Sequence, residues 1–323
     1  MLDEIAAALR ASRGLAHKSD IAAVMRTLAL GPPSRVGGEA VPIGDDCAAI
    51  RDGDGWLLFA IEGLLNEFVQ REPWFAGYCA VMVNLSDVYA MGGRPIAVVD
   101  AVWTDGLERA APIVEGMNAA ARAYGVPIVG GHTNCRSNQD QLAAAVLGRT
   151  RHLLTSFDAR PGDVLLAAID QRGRYREPYP YWDASTESDA RRLRADLELL
   201  PGLAEAGLCA AAKDVSMAGI VGTAMMLLEC SGLGGEIDVA AVPKPSGVAS
   251  ERWLVSTFPS YGFILAASAA NVAAVVARFA ARGIACAPIG HCDASRAIRV
   301  AAGGRSLPVW NFAEAPLIGC GHA

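Results

Sequence analysis

Ile43-Gly44-Asp45-Asp46-Cys47-Ala48 sets two adjacent carboxylates behind a glycine, where a loop runs into a strand. Hard divalent cations take oxygen ligands, and magnesium commonly bridges a carboxylate to nucleotide phosphates. Gly-Asp is also ordinary turn chemistry. By itself the hexapeptide leaves a cation site and a polar turn both open. What lies on either side decides between them, and decides the fold as well.

Downstream, Trp56 to Ile61 reads as a strand. Gly77 to Met91 has helical spacing, with Val81, Leu85 and Val88 on one side. Ile96 to Trp103 is a second strand, 109–124 a second helix ended by Gly125, and Val126 to Val129 and Leu142 to Arg149 are further strands. Upstream, residues 1–30 read as helical, with Leu2, Ile5, Ala8 and Leu9 on one face and Ile21, Val24, Met25 and Leu28 repeating the pattern. A Gly/Pro-rich loop, 31–38, follows. Arg160-Pro161-Gly162-Asp163 is a turn and the expected boundary between an N-terminal domain, 1–158, and a C-terminal one, 159–323. Val164 to Ile169 opens the second half as a strand. The aromatic stretch 171–183, with Tyr175, Tyr179, Tyr181 and Trp182, reads as an ordered loop. Its aromatics either stack on a planar ligand or pack a lid or a dimer contact. Helical segments at 187–207 and 217–231, a strand at 262–267, a helix at 271–282 and terminal strands complete an alternating α/β or α+β pattern.

Composition narrows the function. The 323 residues are 52% hydrophobic and 19% charged, with a net charge of -6. That is a globular composition. Nucleic-acid binders carry a basic face because phosphate neutralisation drives their affinity. Here the arginines at 191, 192 and 194 are interleaved with Asp189, Asp196 and Glu198, which describes a solvated helix face. Met1-Leu2-Asp3-Glu4 lacks the basic start of a signal peptide, and the apolar run Ile264 to Ala277 is too short to span a bilayer. The eight cysteines have no CxxC pair and read as reduced thiols of a cytoplasmic protein. Cys286 with His291-Cys292-Asp293 is a poor zinc set, because adjacent side chains diverge.

Three further segments carry chemistry. Asn84-Leu85-Ser86-Asp87 places Asn84 and Asp87 on one helix face beside an apolar run, so Asp87 needs a metal or an arginine; the alternative is a plain helix end closed by Gly92. Val129-Gly130-Gly131-His132-Thr133 runs a strand into glycines that allow close ligand approach. There His132 serves either as a phosphate contact or acid/base group, or as a structural histidine. Lys213-Asp214-Val215-Ser216 precedes a helix, where either Asp214 or Ser216 is a cap, or Asp214 or Lys213 stands at the substrate or phosphate. No Walker A sequence and no strand-borne GxGxxG is present, nor a GxSxG elbow.

In this order and spacing, the four segments resemble the superfamily of aminoimidazole ribonucleotide (AIR) synthetase. It includes thiamine-monophosphate kinase, selenophosphate synthetase and a hydrogenase-maturation dehydratase. The resemblance covers about residues 15–290 and is nearest to thiamine-monophosphate kinase in the first half. It implies a two-domain PurM-like fold: an N-terminal ATP/Mg-binding domain whose sheet joins a partner's in a homodimeric β-barrel, and a C-terminal α/β domain. It implies ATP and Mg2+ as cofactors, with Asp45, Asp46 and Asp87 on the metal. Glu62 stands where the kinases have an aspartate and joins that set. Nucleotide contacts fall to Gly44, Asn84, Gly130, Gly131, Thr133 and Ser216, and catalytic roles to Lys213, Asp214 and His132.

The chain also departs from the kinase pattern. His132 stands in place of the aspartate of Gly-Gly-Asp-Thr, Cys79 where lysine is common, and Met217 in place of the second aspartate of Asp-x-Ser-Asp-Gly. Lys213 to Gly222 is closer to selenophosphate synthetase, yet a reactive N-terminal Cys-Gly is missing. The expected activity is Mg-dependent use of the ATP γ-phosphoryl group to activate a small-molecule oxygen. The alternatives are a thiamine-monophosphate-kinase-like phosphotransferase and a non-catalytic nucleotide-binding protein.

Overall fold

The computed structural model describes residues 2–28 and 41–321. The expected loop 31–38 lies outside them. The chain runs α1 (Leu2–Arg10), α2 (Arg13–Leu28), β1 (Ala48–Asp52), β2 (Gly55–Gly63), α3 (Asn66–Arg71), α4 (Pro73–Ala90), β3 (Arg94–Asp105), α5 (Leu107–Tyr124), β4 (Ile128–Asn134), β5 (Arg136–Thr150) and β6 (Val164–Ile169). It continues through β7 (Arg174–Tyr175), β8 (Tyr181–Asp183), α6 (Ala190–Leu197), α7 (Leu199–Glu205), β9 (Ala211–Asp214), α8 (Gly219–Cys230), β10 (Gly234–Asp238) and α9 (Ser250–Val255). It ends with β11 (Phe258–Pro259), β12 (Gly262–Ala267), α10 (Val272–Ala280), β13 (Ala285–Asp293), β14 (Ala297–Ala302) and β15 (Arg305–Asn311).

The described residues form two compact units. One combines those of Met1–Asp45, Leu153–Ser185 and Leu203–Ala323; the other combines Asp46–His152 and Thr186–Gly202. Both units are assembled from stretches that are separated in sequence. The first helix belongs with the C-terminal half because its apolar stripe, Leu2, Ile5, Ala6 and Leu9, is buried against α9, β14 and β15. Conversely, 186–202 joins the 46–152 unit: α6 contacts α5, and Arg94 binds Glu198 at 2.8 Å.

The 46–152 unit is built on a five-stranded sheet ordered β1-β2-β5-β3-β4, antiparallel except for the β3–β4 pair. The β3–α5–β4 connection supplies that parallel pair, as parallel neighbours need a crossover. Helix α4 is buried almost all round because it lies between the sheet and α5. Two glycines permit the helix crossing. A Cβ on Gly77 would lie 2.0 Å from the Ile113 carbonyl oxygen, and one on Gly116 1.8 Å from that of Trp74. Strand alternation puts Trp56, Leu58, Ala60, Ala144, Val146 and Val98 in the core. The opposite face stays open.

The other unit carries a seven-stranded sheet ordered β15-β14-β10-β13-β6-β12-β9. Its core centres on α8, in which every residue is buried. The stretch 171–183 is no loop: β7 and β8 form a hairpin that joins β11 in a small third sheet. Its aromatics are spent on packing. Trp182 meets Trp253 edge-on at 5.2 Å, and Arg252 lies 3.7 Å over the Tyr175 ring while pairing with Glu177. The lid-like reading of this stretch therefore becomes a structural hairpin. The sheet of the 46–152 unit is open at both edges, so the described chain contains no closed barrel.

Candidate functional site

Asp45 and Asp46 are neighbours in sequence with different surroundings. Asp45 follows Gly44, whose φ of +109° favours glycine. Its carboxylate accepts from the Ser156 backbone N–H at 2.7 Å and the Ser156 hydroxyl at 2.6 Å, and Lys213 Nζ stands 3.9 Å away. The Asp45 side chain is only 1% exposed. Ser156 thus holds both oxygens of the Asp45 carboxylate.

Asp46 is positioned by the next residue. The Cys47 backbone N–H donates to Met91 Sδ at 3.1 Å, which ties this segment to the C-terminal end of α4. The last turns of α4 carry Asp87. Carboxylate oxygens of Asp46 and Asp87 accordingly lie within 4.8 Å of each other. One turn back, Asn84 is fully buried; its Nδ2 donates to Ala80 O at 2.8 Å and Ala144 O at 3.0 Å. With the amide nitrogen so used, Asn84 Oδ1 meets no donor among the described residues. Two close carboxylates repel, and a buried amide oxygen without a donor costs free energy. An oxygen-seeking divalent cation answers both, so the donor set fits Mg2+.

Glu62 is exposed near the end of β2, in register with Ala144. Directly across the same row stands Asp100, which the sequence reading did not single out. Burial raises the Asp100 carboxyl above its ordinary value. It packs against Gly131, where a Cβ would come 2.7 Å from the Asp100 carboxylate. Gly130, Gly131, His132 and Thr133 lie within β4 itself and are exposed along the sheet edge. The His132 ring sits 5.6 Å from that of Trp103. Cys79 is buried in α4.

In the other unit, Lys213 and Asp214 end β9 and are buried, in register with Ile264 and Phe263 of β12. Ser216 precedes α8. Its N–H donates to Thr223 Oγ1 at 3.2 Å, and its own Oγ has no hydrogen-bond partner among the described residues. The cysteine and histidine near the end of β13 do not converge with Cys286 and Asp293 into a cation cluster. Burial pushes the Cys286 and Cys292 thiols up to about 12, which disfavours the thiolates a metal needs.

Sequence reading missed Ser156, the partner that separates Asp45 from Asp46. A serine in an unremarkable turn carries no local signal of that role. Residues 44–150 match the model of the AIR synthase related protein, N-terminal domain, and residues 160–303 that of its C-terminal domain. An uncharacterized protein from Synechocystis is 45% identical over 99% of this chain and 98% of its own length. A thiamine-monophosphate kinase from Pyrococcus horikoshii is 34% identical over 41% of this chain and 44% of its own. The solved structure of AaThiL complexed with AMPPCP and TMP superposes with a TM-score of 0.65 at 18% identity, covering 89% of this chain and 95% of that one.

Proposed function

The chain belongs to the AIR synthase-related family, and from that premise we propose that it is a Mg-dependent, ATP-using enzyme that spends the γ-phosphoryl group on activating a small-molecule oxygen. The observation that carries this reading is the Asp46–Asp87 carboxylate pair with the donorless amide oxygen of Asn84 one turn away. Mg2+ held there supplies charge neutralisation for a triphosphate. The chain's own residues do the rest. Asp46 and Asp87 hold the cation, and Asn84 adds a neutral oxygen. The exposed glycine backbone of Gly130 and Gly131 admits a ligand without a Cβ in the way. Within their own unit, Lys213 and Asp214 are buried at the end of β9 and are read as catalytic groups, with Ser216 as a nucleotide contact; His132 offers an exposed acid/base ring. Catalysis of this kind rests on positioning and electrostatics. Asp45 moves from the metal set to an anchoring role.

The test is Asp87→Asn. We expect it to abolish Mg-dependent ATP turnover and weaken Mg·AMPPCP binding, with an unchanged circular-dichroism spectrum. Wild-type turnover in this variant overturns the assignment. The similarity to a thiamine-monophosphate kinase favours a second reading, phosphoryl transfer to thiamine monophosphate. Label passing from γ-phosphate to that acceptor selects it; label released only as inorganic phosphate alongside a modified substrate selects oxygen activation.

The same reading includes a homodimer. Phe59, Ile61, Ile96, Val99, Val129 and Leu147 crowd the open sheet face of the 46–152 unit, with Ile61 at 68% and Val129 at 64% exposed. An apolar face of this kind marks an association surface. A cytoplasmic setting agrees with eight cysteines that form no disulfide among the described residues. Among the described residues no helix is long and apolar enough to cross a membrane.

A further inference from the structure

Three successive residues at the C-terminal end of α8 hold two distant pieces of chain. Glu229 is 1% exposed, and its carboxylate accepts from the backbone N–H groups of Leu317 at 2.6 Å, Ile318 at 2.7 Å and Gly319 at 3.2 Å. Behind Cys230, the chain tail closes tightly: a Cβ on Gly321 would lie 2.4 Å from the Cys230 carbonyl oxygen. Ser231 donates to the Ser156 carbonyl at 2.8 Å and accepts from the Ala159 N–H at 3.2 Å. Ser156 in turn is the residue that binds both oxygens of Asp45.

The tail reaches the same corner from the other side. Cys320 is buried against Gly44: a Cβ on that glycine would come 2.3 Å from both Cβ and Sγ of Cys320. Gly44 and Asp45 are therefore held between Ser156 and Cys320, and both supports hang from the end of α8. A buried anionic group in the last turn of a helix faces the unfavourable end of the helix dipole and a desolvation cost. Simple packing does not call for a carboxylate here; capture of three backbone donors does.

We infer that the C-terminal segment Leu317–Cys320 is a positioning element for the Gly44-Asp45 turn, with Glu229 the residue that sets it. Asp46 is the next residue along, so the inference deepens the reading of Asp46 as a cation ligand and rests on it for its effect on nucleotide. Glu229 acts through the tail.

The experiment uses the full chain with Glu229→Gln, which keeps the volume but turns one acceptor into a donor. Amide exchange is followed across 43–47, at Ser156, in α8 and at 317–319, and Mg·AMPPCP is titrated by calorimetry. We expect exchange to quicken about tenfold at 43–47 and Ser156 as well as in the tail, with α8 unchanged, and AMPPCP affinity to drop about fivefold. Faster exchange confined to 317–319, with 43–47 and Ser156 as in wild type, overturns the inference. Should Glu229→Gln fail to fold, Cys320→Ala tests the same contact: quickened exchange at 43–47 supports it, and unchanged exchange there overturns it. Absence of AMPPCP binding by the wild-type chain counts against the nucleotide reading alone, because the exchange pattern still decides the role of the tail.

Discussion

At the residue scale, two adjacent aspartates do different work. Asp45 satisfies Ser156, and Asp46 faces Asp87. Asp45→Asn places an amide N–H against the Ser156 donors. We expect it to cost about 1–3 kcal/mol in urea unfolding, because buried donors lose their acceptor. Asp46→Asn removes like-charge repulsion, so its stability should match or exceed wild type while Mg-dependent nucleotide binding is lost. Equal stability losses in the two variants would refute the division of labour. Glu229 gives a pH signature. Burial raises its carboxyl above 4.5, opposed by the Leu317, Ile318 and Gly319 N–H groups and by Arg296. The folded state thus holds this proton more tightly than the unfolded chain. The group's contribution is full below pH 4.5 and is lost as pH rises through the raised folded-state value. Urea titrations across mildly acidic pH should show that slope in wild type and a flatter one in Glu229→Gln.

At the element scale, the α4–α5 crossing positions the site, because α4 carries Asn84 and Asp87. Its closeness depends on Gly77 and Gly116, each facing a backbone carbonyl that cannot swing aside. Gly116→Ala should destabilise by about 1–3 kcal/mol through overpacking, and more if the helices cannot part. Thermal melting checks this, and an unchanged midpoint would contradict the packing argument. Helix α4 was legible as a helix from Val81, Leu85 and Val88, and β6 and β12 were legible as apolar runs. Strand β9 was not, because Ala211–Asp214 is four residues with a charged end and takes its place at the sheet edge by pairing with β12. Nor was the β7–β8 hairpin, whose aromatics and arginines show no alternation until β11 and Trp253 come alongside.

At the scale of the whole molecule, the open apolar sheet face predicts self-association. Phe59 and Leu147 are direct cross-strand partners, as are Ile61 and Ala145, so a charge introduced at either row meets apolar neighbours on one surface. Phe59→Asp with Ile61→Lys should convert a dimer to a monomer in light scattering, with little change in secondary structure. A monomeric wild type would remove the homodimer from the proposal. From the chain alone came the alternation of strands and helices, the order of the four motifs and hence the family, since period and motif order are local properties carried in the residues themselves. The interleaving of the two units was not legible, because α1 buries its stripe on elements some 240–300 residues later. The separation of Asp45 from Asp46 was likewise beyond reach of the sequence. It depends on Ser156, 111 residues away, and on a tail that meets Gly44 only after folding. Two identical side chains side by side acquire different chemistry from their hydrogen-bond partners, and those partners exist only in the tertiary structure.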